Sequence, residues 1–452
     1  MVKFKKFCVR GLIVVVTITG VLFSVIGCST KISNTNTVID ENTDKETNKE
    51  TNKETNKETE EEKGVNQEVE TNTDLKINDN NQPEVDFTKQ AVGFSVELFK
   101  KTRKPSENSL VSPISVLMAL SMTANGADGI TREEMQQLLA SGDSIENLNI
   151  YLDTCRKQLI SKDSKLSLAN SIWFRDDKDR LTIEQEFLQT NEKYYDAEIF
   201  EVPFNKTTVD DINKWVDKHT QGMIPHMVDT LDNDSIMCLI NAVVFDAEWE
   251  NVYTKDKVFN GTFTNSNGIE QDVQMMLSNE YSYIDEGNVT GFIKNYKDKQ
   301  YSFVALLPNE GISVDEYVES LTGENLLSVI ESAQSTTVMT RLPKFEYDYE
   351  IEMNEALEKL GLQTAFDVNH ADFSKLGSSK EGNIFIGRVL HKSYIAVDEL
   401  GTKASAATEV EMRDGSALIE YSVTLDRPFV YVIIDNTTKL PIFIGTVMDI
   451  VS

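Results

Sequence analysis

From Asp86 onward the apolar residues recur at two spacings. Phe87, Ala91, Phe94 and Leu98 fall three or four apart, which predicts one buried helical face, and Asp86 stands where a side-chain cap would open that helix. The stretches SPISVLMALSMTANGA, VDDINKWVDKHTQGMI and MNEALEKLGL predict further helices. Strands are expected in LSLANSIWF, FNGTFTN, GFIKNYKDKQYSFVALLP, TTVMTRLPKFEYDYEIEM, FVYVIIDN and LPIFIGTVM, and a long buried strand in SIMCLINAVVFDAEWE. Helices dominate early and antiparallel-type strands late, without regular βαβ alternation. The expectation is α+β, and since no Pro/Gly-rich linker interrupts 86–452, one large domain.

One segment near the C-terminus fits neither pattern well. In VDELGTKASAATEVEMRDGSALIEYSVTLDRPF, every second residue from Thr402 gives Thr402, Ala404, Ala406, Thr408, Val410 and Met412. The intervening set is Lys403, Ser405, Ala407, Glu409, Glu411 and Arg413. One face is small or apolar and the other largely charged, a strand pattern. Yet good strand formers are scarce before Val410, and alanine by itself favours helix. The pattern prepares a strand for burial without insisting that the chain form one.

The ends change the picture. Lys3, Lys5, Lys6 and Arg10 precede an apolar run from Gly11 to Ile26, followed by Gly27 and Cys28. A positive start, a short apolar core and a small residue before the cut predict an export signal over 1–27. The alternative is an uncut anchor, though a run of ~16 residues is short against the ~20 that span a bilayer. Both readings place the remainder outside the cytoplasm. From 28 to 85 the composition turns polar, with the repeat ETNKETNKETNKETEEE. Too few large apolar residues occur there to offset the entropy of ordering, which predicts a solvated acidic tether whose ends lie ~40 Å apart as a random coil. The formal net charge of -30 argues against nucleic acid as a partner. Cys155 and Cys238 sit in apolar contexts and are expected to be buried free thiols.

Candidate chemistry is sparse. The four histidines are His219, His226, His370 and His391; His219 and His226 lack the spacing that puts two zinc ligands on one helical face. No GxSxG, phosphate loop or dinucleotide fingerprint occurs, so neither an enzyme nor a bound cofactor or metal is expected.

Motif order and spacing over the whole of Asp86–Ser452 resemble the serpin family. The resemblance is carried by NSLVSPISVLMALSMTANGADGITREEM, LSLANSIWF, YYDAEIFEVPF, INKWVDKHTQGMI, LINAVVFDAEWE, LPKFEYDYEI, ADFSKL, VLHKSYIAVDELGTKASAAT and RPFVYVIIDNTTKLPIFIGTV. Gly27-Cys28 separately resembles a bacterial lipoprotein signal, in which the cysteine is acylated and becomes the lipid anchor. The family resemblance implies three β-sheets, eight or nine helices and an exposed reactive loop, here about 399–427. A serine or sometimes cysteine protease cuts that loop, and the cut strand inserts into the main sheet before the acyl-enzyme hydrolyses; serpin insertion is a standard instance of strand addition and stored strain.

In family register the hinge is Glu399, Gly401, Thr402, Ala404, Ala406 and Thr408. A "shutter" under the opening of the sheet is Ser112, Ser115, Asn241 and His391, and the "breach" tryptophan is Trp249. Counting from the hinge glycine puts the scissile bond at Gly415-Ser416, with Arg413-Asp414 second. Gly-Ser-Ala bait implies a subtilisin-like or elastase-like target before a trypsin-like one. Three departures stand out: Leu400 where a charge usually precedes the hinge glycine, Lys403 where an acid usually follows the threonine, and Ser405 within the alanine run. The loop from Gly401 to Pro428 is also about two residues longer than usual. The resemblance implies a monomeric, membrane-tethered extracellular inhibitor. Its rival is a non-inhibitory serpin that binds without trapping; a third reading, an adhesin or structural lipoprotein, leaves the loop unexplained.

Overall fold

Asp86 caps the first helix, α1 (Phe87–Thr102), by accepting the Lys89 N–H, and Ala91, Phe94 and Leu98 are buried as the spacing predicts. The computed structural model describes residues 86–160, 165–402 and 421–450. Contacts divide the chain into Met1–Thr71 and Asn72–Ser452, and every described residue lies in the second unit. Its other helices are α2 (Pro113–Ala124), α3 (Gly129–Ala140), α4 (Ile145–Leu159), α5 (Gln185–Tyr195), α6 (Lys206–His219), α7 (Val314–Ser320), α8 (Gly323–Glu331) and α9 (Asn354–Lys359). Periodicity alone did not single out α3, α4, α5, α7 and α8. For α4, α7 and α8 the signal was in the caps: Ser144 and Thr322 each accept a backbone N–H, and Ser313 with Glu316 forms a reciprocal box; α3 and α5 carry no side-chain cap.

The most buried sheet has the order β1 (Ser109–Val111), β19 (Pro441–Val447), β18 (Phe429–Asp435), β11 (Tyr301–Pro308), β10 (Val289–Asn295), β9 (Tyr283–Glu286), antiparallel throughout. Both faces of β11, β18 and β19 are covered, which explains their unbroken apolar runs. A second sheet orders β17 (Tyr421–Thr424), β12 (Val338–Pro343), β8 (Glu270–Glu280) and β7 (Val258–Thr264). A short pair joins β3 (Leu181–Ile183) to β14 (Gly377–Ser379).

The remaining strands form two sheets that share an interrupted strand. One is β4 (Glu198–Val202), β2 (Leu166–Arg175), β5 (Met237–Phe245); the other is β13 (Phe345–Glu352), β15 (Leu390–Val397), β16 (Gly401–Thr402), β6 (Ala247–Glu248). Only Asp246 separates β5 from β6. Trp215, Val216 and Ile212 of α6 pack with Trp173, Ile240 and Ala242 on one face. Pairs β2·β4 and β12·β17 are parallel, so the expected antiparallel character holds only in the majority.

Two local expectations need correction. The helix expected through VDDINKWVDKHTQGMI stops at His219, because Gln221 and Gly222 take left-handed backbone angles of φ 51° and 80° that turn the chain away. The stretch SIMCLINAVVFDAEWE is not one buried strand: it breaks at Asp246, and Met237, Cys238 and Leu239 are only half-buried.

Candidate functional site

At one end of the interrupted sheet the chain reverses through Asp398–Gly401. The Asp398 carboxylate accepts the Leu400 and Gly401 N–H groups at 2.8 and 3.2 Å, and the Asp398 N–H donates to the Gly401 carbonyl at 3.0 Å. The two-residue strand β16 results. Thr402 is paired with Val397 of β15 on one side and Ala247 of β6 on the other. A Cβ on Gly401 would sit 2.0 Å from the Ala247 carbonyl oxygen, so only glycine fits there. Glu399 forms an ion pair with Lys344.

Trp249 braces this turn from below. Its indole N–H donates to the Asp398 carbonyl and its backbone N–H to the Leu400 carbonyl, each at 2.9 Å. The ring stacks on Tyr296 with centroids 4.6 Å apart, and the Tyr296 hydroxyl is hydrogen-bonded to that of Thr402 at 2.6 Å. Beneath the aromatics lies a buried ion pair, Lys294 to Glu280 at 2.7 Å, with the ammonium 5.4 Å from the Trp249 ring and 4.5 Å from that of Tyr253. Burial alone would lower the Lys294 pKa; Tyr253 and Glu280 outweigh it and hold the ammonium above its usual range.

Beyond β16 no ladder joins β5 to β15 among the described residues. One strand separates neighbours by roughly 4.8 Å on each side, so β16 holds the two banks about one strand apart. A cleft of about 700 Å³ opens along this slot, lined among others by Ser115, Leu239, Asn241, Leu390 and His391.

The four polar residues singled out from sequence occupy opposite banks. On the β15 bank, His391 Nε2 accepts the Ser112 N–H at 3.2 Å and lies 2.6 Å from Ser393 Oγ. On the β5 bank, the Ser115 hydroxyl donates to Asn241 Oδ1, and Asn241 Nδ2 donates to Asn170 Oδ1 at 2.6 Å. Helix α2, through Ser112 and Ser115, is the floor both banks share. Burial drives the His391 pKa down to about 4, so the ring is neutral at pH 7 and free to accept. The Ser112 hydroxyl is buried without a hydrogen-bond partner among the described residues.

Sequence reasoning thus located Ser112, Ser115, Asn241, His391, Trp249, Glu399, Gly401 and Thr402, and the structure draws the first four to the slot and the rest to its mouth. It missed Ser393, Asn170, Tyr296, Lys294 and Glu280. Ser393 could have been found, being two residues from His391 and on the same strand face. Ala404, Ala406, Thr408, Arg413, Asp414, Gly415, Ser416 and Cys28 lie outside the described residues. The chain resumes in β17, an edge strand held by β12.

No catalytic constellation emerges among the described residues. His219, His226 and His370 pair with Glu198, Asp229 and Asp367, and no group of three or more His, Cys, Asp or Glu could hold a metal. Cys155 is buried; Cys238 is only half-buried and lines the cleft, contrary to the expected full burial, because among the described residues no strand pairs with that edge of β5. Desolvation pushes both thiols up to about 12.

Residues 89–450 match the family profile described as Serpin (serine protease inhibitor). Leukocyte elastase inhibitor A of Mus musculus is 28% identical over 372 residues, covering 78% of this chain and 97% of that protein. The native-state crystal structure of a thermophilic serpin, Tengpin, superposes with a TM-score of 0.77 at 48% identity, covering 82% of this chain and 96% of that one. The latent-state structure of Tengpin gives a TM-score of 0.73 at 47% identity, covering 80% and 98%. With the fold and a profile match across nearly all of the described residues, the chain belongs to the serpin family of protease inhibitors and is not an enzyme.

Proposed function

We propose that this chain is a suicide-substrate inhibitor that traps a serine protease by inserting its cut loop between β5 and β15. The observation that carries the reading is Thr402, already paired on both sides, with no ladder joining β5 to β15 beyond it among the described residues. Continuing both pairings residue for residue sets Ala404 between Phe245 and Ile395, Ala406 between Val243 and Ser393, and Thr408 between Asn241 and His391. Small side chains meet the narrow upper slot, and a hydroxyl arrives where the two polar networks face each other. Two independent registers reach the same threonine, which supports insertion as a continuation of β16. About ten new ladder bonds at ~0.5–1.5 kcal/mol each give ~5–15 kcal/mol, comparable to the stability of an ordinary domain.

The reading extends to the ends of the chain. Residues 1–27 serve as an export signal, acylated Cys28 as the membrane anchor, 28–85 as the acidic tether and 86–452 as the inhibitory domain, outside the cell and monomeric. The bait bond is Gly415-Ser416, with Arg413-Asp414 second. The elastase inhibitors among the relatives support an elastase-like target, with a subtilisin-like enzyme an equal match for small bait residues and a trypsin-like one behind. Incubation with a panel of such proteases tests it on a denaturing gel. A covalent complex is expected; a cut chain without complex would identify the non-inhibitory alternative.

A further inference from the structure

Two cations line the cleft, Lys392 within β15 and Arg388 just before that strand begins, and their surroundings give them a task. Lys392 is paired with Glu350 at 2.9 Å. Arg388 is exposed and makes no ion pair among the described residues. It acts across the slot: the Cys238 thiol, raised by burial, feels an opposing pull from Arg388. Both cations also act on Asp229, in the segment after α6, whose carboxyl is lowered first by its hydrogen bond to His226 and then, more weakly, by Lys392 and Arg388. Arg388, Lys392 and Cys238 all line the cleft between the banks, and no carboxylate forms an ion pair with Arg388 among the described residues.

We infer that Arg388, with Lys392 beside it, is the docking point for the carboxylates Glu409 and Glu411 of the incoming loop and holds the strand to the registers that keep both carboxylates on this face. The inference rests on the inhibitory reading and names positioning residues for it. Continuing the pairings of Thr402 with Val397 and Ala247 puts Glu411 between Cys238 and Arg388. Glu409 falls between Ile240 and Leu390, diagonal to both Arg388 and Lys392, within reach of long side chains.

Charge complementarity here is demanded by burial. Ile240 and Cys238 pack with Met227 and the apolar side of α6. A carboxylate arriving there without a counter-ion is desolvated and unpaired, a costly state; a guanidinium that can bind both oxygens removes that cost. The ion pair also discriminates between registers. A one-residue slip moves Glu411 to the opposite face, away from Arg388. The small residues nearer the hinge, Ala404 and Ala406, discriminate poorly because they fit several positions.

The test is a charge exchange in the full mature protein. Arg388→Glu, Glu411→Arg and the double variant are each incubated with a protease that the wild type traps, and complex is compared with cleaved inhibitor. Each single reversal is expected to shift the ratio roughly threefold or more toward cleaved product, and the double variant to recover most of that loss. Melting of the loop-cleaved forms should show the same pattern beyond the small change that a reversal at Arg388, which already acts weakly on Asp229, makes in the intact form. Arg388→Gln and Glu411→Gln, expected to lose less in the same direction, carry the test if a reversal does not fold. Unchanged ratios in the singles, or additive losses in the double, would overturn the docking role alone. A wild type that neither traps nor gains stability on cleavage would overturn the inhibitory reading and this inference with it.

Discussion

The Tyr296 and Thr402 hydroxyls lie 2.6 Å apart in a hydrogen bond closed to solvent. One end of this bond belongs to the stack of Tyr296 on Trp249, anchored over the buried Lys294–Glu280 pair; the other belongs to Thr402, which is paired with Val397 and Ala247 on its two sides. The mouth of the slot is thus an aromatic platform on which Thr402 is seated. Under the proposed mechanism, insertion would extend this pairing.

Hinge substitutions follow from that seat. Thr402→Arg asks the platform to bury an unpaired charge, at a cost of several kcal/mol. Ala406→Arg asks the same of the slot between Val243 and Ser393. Both variants are expected to be cut at the wild-type rate yet form little complex, measured as moles of inhibitor consumed per mole of protease silenced. Tyr296→Phe removes only the hydroxyl and should cost about 1 kcal/mol or somewhat more in the melt of the intact protein, because Thr402 is left buried with an unmet bond.

Cleavage within 403–420 is expected to raise the melting temperature, since the slot gains a strand with ~5–15 kcal/mol of new ladder bonds. Calorimetry of intact and nicked protein, with the cut mapped by mass, decides it. Coincident midpoints would favour a serpin that does not insert.

His391 supplies a pH signature. Its folded pKa is about 4 against an ordinary 6.5, so the unfolded chain binds the proton first as pH falls. Stability of the intact protein is therefore full above about 6.5, declines as pH drops toward about 4, and levels off below, a total of about 3 kcal/mol from this group. Urea midpoints across that range should slope accordingly in the wild type and flatten in His391→Gln. A His391→Gln slope equal to that of the wild type would assign the pH response to other groups.

Much of this architecture was legible in the sequence. The Asp86 cap, the α1 face and the runs of β11, β18 and β19 follow from spacing and propensity, and the grouping of Glu399, Gly401, Thr402 and Trp249, and of Ser112, Ser115, Asn241 and His391, from motif order. What escaped did so for physical reasons. Lys294 reads as a surface lysine in GFIKNY, since nothing local shows that Glu280 on another strand meets it underground. The apolar stretch around Met237–Leu239 reads as a fully buried strand, although all three residues are half-buried and line the cleft between β5 and β15. Periodicity shows which face of a strand is apolar but not whether its edge has a partner.

Cys28→Ala tests the proposed anchor. Without acylation the product is expected to be unprocessed or released from membranes, because no helix among the described residues is long and apolar enough to cross one. Fractionation with and without lipid labelling reads this out. A processed, unlabelled and still membrane-bound variant would count against a lipid anchor.

Trapping itself is the central claim, and mass spectrometry of the complex measures it most directly. The mature protein is incubated with subtilisin-like, elastase-like and trypsin-like enzymes, denatured, and both the covalent product and the released C-terminal peptide are weighed. The account predicts a denaturant-resistant product of one inhibitor and one protease, joined through the acyl bond, with a released peptide beginning at Ser416. A peptide beginning at Asp414 with a trypsin-like enzyme would move the bait bond and leave the mechanism standing. A cleaved chain with no covalent product from any of the three would contradict it.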